Sequence, residues 1–205
     1  MQIQLEQTGK KYNREWIFRA LSFTFYFGKK YAITGPNGSG KSTLLQTIAG
    51  STTLSEGSVN WSLNQSVIAP ENHYLHLSIC APSLSLIDEM TALEFLAFHQ
   101  SFKSFLPGIT PTKILELTGL TEAATKQMRY YSSGMKQRIK LAQAIFSDTP
   151  VLFLDEPCTN LDEAGYTLYH SLIQDYAANK LIIVSSNDKA EYSFCEEVID
   201  IKKYK

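Results

Sequence analysis

The stretch GPNGSGKST, Gly35 to Thr43, satisfies the spacing G-x-x-x-x-G-K-[ST] through Gly35, Gly40, Lys41 and Ser42. Glycines at these places let backbone N–H groups turn inward around phosphate oxygens at the start of a helix. Pro36, Asn37, Gly38, Ser39 and Thr43 complete the cradle. Lys41 adds a point charge for the outer phosphates, and Ser42 offers a hydroxyl to a magnesium ion. Clusters of Gly, Ser and Asn are most often plain turns, so the flanks decide. Upstream, KYAIT (Lys30 to Thr34) reads as a short strand; downstream, KSTLLQTIAG reads as a helix closed by Gly50. Strand, loop, helix is the context that a phosphate loop needs.

Outward from this loop, 205 residues with 44% hydrophobic side chains suffice for one domain, 1–205, or one domain carrying a subdomain. A formal charge of -1, from 19 basic and 20 acidic side chains, makes no field for nucleic acid or an anionic membrane, so no nucleic-acid partner is expected. Cys80, Cys158 and Cys195 are odd in number and not closely paired, which argues for free, buried thiols in a reducing compartment. The start MQIQLEQTGKKY has no apolar signal core, and no later segment supplies about 20 consecutive apolar residues. If the protein acts at a membrane, another chain is expected to span it. His73, His76, His99 and His170 lack zinc-ligand spacing and are expected at the surface or in hydrogen-bonded positions.

Before Gly28, Ile3 and Leu5 alternate with polar neighbours, and Phe23, Phe25 and Phe27 alternate with Thr24 and Tyr26. That pattern predicts antiparallel strands with one buried face. GSVNWSL (Gly57 to Leu63) reads as a returning strand. Thr91 to Gly119 is mostly helical in pattern, through Leu93, Leu96 and Ala97 and later Ile114, Leu115 and Leu117, broken by Pro107, Gly108 and Pro111. PVLFLDEP and KLIIVSSND are apolar runs of strand length, each after a helical stretch, the pattern of central parallel strands covered on both faces. The predicted fold is α/β: a P-loop NTPase core with a mostly parallel sheet, an N-terminal antiparallel β part, and a helical subdomain inserted at about 86–146.

YYSSGMKQRIKLAQAIF (Tyr130 to Phe146) opens with small polar residues and continues as an amphipathic helix through Ile139, Leu141, Ala142, Ile145 and Phe146. Its N-terminus is a second anion site. Taken alone, Ser132 and Ser133 are ordinary helix-capping residues. Asp155 ends the apolar run VLFLD and is the carboxylate available to magnesium; after four apolar residues and before Pro157, the Asp155–Glu156 pair is more than a solvated acidic patch.

A phosphate loop, a serine–glycine helix start, VLFLDEP and then TNLD (Thr159, Asn160, Leu161, Asp162), in that order, resemble the ATP-binding cassette (ABC) ATPase family. In particular they resemble the ATP-binding subunit of ABC transporters, over nearly the whole chain. The resemblance implies ATP and Mg²⁺ as cofactors, with Asp155 serving the metal and Glu156 activating water. It implies that two cassettes face each other head to tail, each ATP lying between one phosphate loop and the other chain's signature. That signature usually reads L-S-G-G-Q; here Tyr131, Ser132, Ser133, Gly134 and Met135 stand there, only Ser132 and Gly134 match, and Lys136, Gln137 and Arg138 follow as is common. Thr159 to Asp162 resemble the D-loop along the dimer interface, although Asp162 also suits a helix cap. Tyr12 matches the aromatic residue on which adenine stacks; the alternative is a strand-edge tyrosine.

Two positions depart from the family. Asn187 stands where a histidine is usual, able to hydrogen-bond a phosphate oxygen but not to be a cation. Pro82 or Ser83 stands near the usual glutamine, and Gln65 lies too early to replace it. Slow but real hydrolysis is implied. The implied partners are a transmembrane permease, gripped by the aromatic-rich stretch Leu86 to Phe105, and a second cassette, with a homodimer preferred over a heterodimer. The implied location is the cytoplasm, at the membrane face through the permease. Two other functions stay open: a non-transport ABC ATPase remodelling a macromolecular assembly, and a regulatory ATP sensor with little turnover.

Overall fold

The computed structural model describes residues 1–64 and 66–205; Gln65, set aside above as a glutamine candidate, lies outside the described residues. The chain runs through strands β1 (Gln2–Tyr12), β2 (Glu15–Tyr26) and β3 (Lys30–Thr34) into helix α1 (Lys41–Ala49). Strands β4 (Glu56–Leu63), β5 (Ser66–Ile68) and β6 (Leu77–Cys80) follow. Helices α2 (Ala92–Phe102), α3 (Pro111–Leu117) and α4 (Ser133–Phe146) come next, then β7 (Val151–Asp155), α5 (Glu163–Tyr176), β8 (Leu181–Ser185) and β9 (Glu197–Asp200).

Among the described residues the strands form an antiparallel sheet, β2-β1-β4-β5, and a parallel sheet, β6-β7-β8-β3-β9. The period of two along a strand explains why the central runs are apolar throughout. Val151 and Phe153 of β7, with Leu181 and Ile183 of β8, pack into a core shared with Leu44, Leu45 and Ile48 of α1 and with Ile3, Phe25 and Trp61 of the antiparallel sheet. Leu152, Leu154, Ile182 and Val184 point the other way, into a core shared with α2, α3, α4 and α5. Trp61 Nε1 donates to Ile48 O at 2.9 Å, which pins the antiparallel sheet to the end of α1.

The α/β architecture follows the sequence expectation, including the αL cap at Gly50 and the break between α2 and α3. Thr91 and Glu94 start α2 with a reciprocal capping box. Four details differ. Phe27 lies beyond β2 and is 49% exposed, because the chain turns at Gly28 to enter β3. Short β6 and β9, which no run of apolar residues announces, border the parallel sheet. His73 is buried, stacked on Trp61 with ring centroids 4.5 Å apart, and its Nδ1 has no hydrogen-bond partner among the described residues. Cys80 and Cys158 are buried free thiols, whereas Cys195 is only partly buried.

Lys180, at the entry to β8, buries its ammonium against the C-terminal end of α4, donating to Ile145 O at 3.0 Å and Ser147 O at 2.5 Å. Burial pulls this lysine from 10.5 to about 8. Below that value the folded chain bears the whole cost of the buried charge. Between it and 10.5 the folded lysine releases its proton while the unfolded one keeps it, so the residue's contribution to stability rises with pH. Chemical denaturation at about pH 7 and about pH 9.5 should show wild type gaining stability relative to Lys180→Met at the higher pH. A pH-independent difference would contradict this.

Candidate functional site: two pockets on one chain

β3 sits between β8 and β9 and delivers the chain into the loop at Gly35. The loop ends at Gly40, whose φ of 102° is left-handed and whose Cβ, were there one, would lie 2.2 Å from Ile17 Cγ2. Only glycine can therefore start α1 here. The first turn of α1 has no acidic residue and no side-chain cap, so its N–H groups and the positive end of its dipole face outward. Lys41 folds back over the loop, Nζ donating to Gly35 O at 3.0 Å and Pro36 O at 3.4 Å. Ser39 Oγ is buried without a partner among the described residues. Ile17, Asn37, Gly38, Gly40, Lys41, Ser42, Thr43 and Glu156 line the resulting pocket, of about 220 Å³.

The two adjacent carboxylates diverge. Asp155 closes fully buried β7, and its Oδ1 accepts from Ser185 Oγ at 2.6 Å, which orients the carboxylate. Glu156 leaves the sheet in a left-handed conformation, φ 44°, held by its N–H donating to Ser185 O at 2.8 Å. Thr159 donates to Glu156 O through its N–H at 3.2 Å and its hydroxyl at 2.9 Å. That strained backbone swings Glu156 into the wall of the phosphate-loop pocket. Across the opening, Asn187 Nδ2 donates to Asn37 Oδ1 at 3.1 Å.

A second groove, about 480 Å³, lies elsewhere on the chain, lined by Ser132, Ser133, Gly134 and Met135 together with Arg138, Asn160, Leu161, Asp162 and, from the preceding segment, Gly119, Leu120, Glu122 and Ala123. Ser132 is the N-cap of α4, its Oγ accepting from Met135 N–H at 3.2 Å. Gly134 lies close to the Asn160 backbone, where a Cβ would sit 3.1 Å from Asn160 O, tighter than an ordinary contact. Asp162 does cap α5, accepting from Gly165 N–H at 2.8 Å, and also lies 3.6 Å from Arg138. The two pockets share no lining residue.

A family model described as ABC transporter matches residues 18–159. The chain belongs to the ABC transporter family. A cytochrome c biogenesis ATP-binding export protein of Xylella fastidiosa (strain 9a5c) is 35% identical over 157 residues, 77% of this chain and 70% of that protein. YybJ of Bacillus subtilis (strain 168), an ABC transporter ATP-binding protein, is 28% identical over 204 residues, covering 97% and 92%. Among solved structures, an ATP-binding cassette captured as a dimer with ADP and Pi superposes with a TM-score of 0.81 at 21% identity, covering 97% of this chain and 94% of that one. The chain is thus an ATP-hydrolysing subunit of an ABC transporter, a class that works with membrane partners. Among the described residues no helix is long and apolar enough to cross a membrane.

Within this ABC cassette the expected loop, Asp155, Glu156 and Asn187 all converge at the C-terminal edge of the parallel sheet, while Ser132 to Met135 and Asn160 to Asp162 gather in the separate groove. Tyr12 ends β1, about half exposed, with Lys10 Nζ 4.8 Å from its ring centroid. Pro82 and Ser83 form the turn after β6, where Pro82 O accepts from Lys140 Nζ at 3.2 Å; neither lines the phosphate-loop pocket. Ile17 and the Asn37–Asn187 bond escape a reading of the sequence. Ile17 is one more apolar strand residue, and the two asparagines lie 150 positions apart.

Gly40→Ala tests the cradle. The forced Cβ and left-handed strain, worth about 1–3 kcal/mol, should lower affinity for a fluorescent ATP analogue by about tenfold or more. Wild-type affinity would contradict the geometry.

Proposed function

We propose that this cassette drives a transmembrane permease by closing head to tail on a second copy of itself, each ATP held between the Gly35–Thr43 loop of one chain and the Ser132–Met135 helix start of the other. The separateness of the two pockets carries the proposal: each has part of what a triphosphate needs, and within one chain the two share no lining residue. In this reading, Lys41 and the loop N–H groups hold the β- and γ-phosphates. The Ser42 hydroxyl and the Asp155 carboxylate are hard oxygen donors of the kind Mg²⁺ prefers, so the donor set fits that ion, and the ion would supply charge neutralisation for the phosphates. Glu156 takes the proton of the attacking water, Asn187 exchanges its bond to Asn37 for a γ-phosphate oxygen, and Tyr12 stacks on adenine. Asn160, Leu161 and Asp162 line the groove beside the signature, which supports the reading of Thr159 to Asp162 as the contact between the two sites.

For the permease, the supporting observation is an apolar groove of about 280 Å³ lined in part by Tyr74, Leu77, Leu84, His99 and Lys103. Beside it, Phe98 and Phe102 stand exposed on α2 in edge-to-face contact. A short amphipathic helix from the membrane partner fits such a surface and would hold the cassette at the cytoplasmic face.

The sensor reading keeps one observation in its favour: Asn187 is neutral and already hydrogen-bonded to the loop. Comparing wild type with Glu156→Gln in a complex purified with its membrane partner separates the two. Glu156→Gln should retain ATP binding while turnover falls about a hundredfold or more. Turnover that is absent in wild type, or unaffected by the substitution, would favour the sensor.

A further inference from the structure

The turn after Glu156 is gripped from two sides by buried polar side chains that the reading above does not use. Gln137, one turn and a half into α4, is 4% exposed, and its Nε2 donates to Pro157 O at 2.6 Å and lies 3.7 Å from Cys80 Sγ. Glu191, four residues after Asn187, is also 4% exposed, and its Oε1 accepts from Cys158 N–H at 2.8 Å. Pro157 C=O and Cys158 N–H are the two ends of one peptide unit. Gln137 and Glu191 therefore fix a single peptide plane from opposite edges, the one that follows Pro157 and lies one residue beyond Glu156.

Glu191 is costly to place there. Glu191 Oε2 is buried with no partner among the described residues, and burial raises this carboxyl above its ordinary range. Tyr169 Oη donates to Glu191 O at 2.8 Å, fixing the backbone from which the carboxylate projects. A left-handed non-glycine residue such as Glu156 persists only where its surroundings over-determine it, and a peptide plane locked one residue on, joined to Glu156 through the fixed φ of Pro157, contributes to that.

We propose that Gln137 and Glu191 are positioning residues for hydrolysis: by clamping the Pro157–Cys158 peptide they hold Glu156 in its left-handed conformation, aimed at the phosphate-loop pocket. The inference rests on the reading of Glu156 as the group that activates water. It also gives the clamp a direction. Gln137 belongs to the helix whose first turn carries Ser132 to Met135, and Glu191 to the segment that carries Asn187, so the position of Glu156 is tied to both.

The test uses the full-length chain with its membrane partner, ATP turnover as one readout and affinity for a fluorescent ATP analogue as the other. Gln137→Met, near-isosteric but without a donor, and Glu191→Leu, without an acceptor, should each lower kcat by about tenfold or more while KM and analogue affinity stay within about twofold. Glu191→Gln, which keeps an acceptor oxygen, should restore kcat to within about threefold of wild type. In a Glu156→Gln background neither substitution should lower residual turnover further, because both act through Glu156. Should Gln137→Met not fold, the Leu and Gln variants at Glu191 carry the same test. Unchanged kcat in folded Gln137→Met and Glu191→Leu, or an equal further loss in the Glu156→Gln background, overturns the clamp. Wild-type turnover by Glu156→Gln alone overturns the assignment of the base, and the clamp falls with it.

Discussion

A helix N-terminus presents roughly half a positive charge, and a triphosphate carries several negative ones. Lys41 and the open first turn of α1 can therefore neutralise only part of the ligand that the Gly35–Thr43 loop is shaped to hold. The chain owns a second helix start with an exposed groove, at Ser132, but its fold places that groove away from the first pocket. This shortfall of charge within one chain, with the remedy held on another part of the same chain, organises the proposed function. It makes pairing of two cassettes a consequence of electrostatics.

Packing supplies the accuracy that this arrangement needs. β7 and β8 are buried on both faces, so their C-terminal ends emerge at fixed positions, and Asp155, Glu156, Ser185 and Asn187 emerge with them. Their side chains then diverge for local reasons: Asp155 stays in the sheet with Ser185, and Glu156 turns out through a left-handed φ. The signature helix α4 packs in the opposite core from α1, which keeps the two helix N-termini apart while bonding α4 to the turn beside Glu156 through Gln137.

The fold and the phosphate loop were legible because their signals are local: GPNGSGKST needs only its flanking strand and helix, and VLFLD needs only its length and apolarity. β6 and β9 were not, since each is four residues long at a sheet edge and exists through pairings such as Leu77 with Val151 and Tyr31 with Glu197. Phe27 continued an alternating pattern past the end of its strand, where periodicity has no way to register the turn at Gly28. Gln137 and Glu191 bind backbone atoms 20 and 33 positions away, and a side chain whose partner is a distant peptide group leaves no trace in spacing or composition. Asn187 was legible as a departure from the family, but its bond to Asn37 was not.

The central claim is that one chain holds two halves of two different ATP sites. Light scattering coupled to size-exclusion chromatography on the Glu156→Gln chain, with and without ATP and magnesium, tests it directly. The account predicts that the mass rises from one chain to two on adding saturating ATP and magnesium, and that Ser132→Phe, which fills the signature groove, prevents the rise. A mass of one chain at saturating ATP and magnesium, or a dimer indifferent to both nucleotide and Ser132, would contradict it.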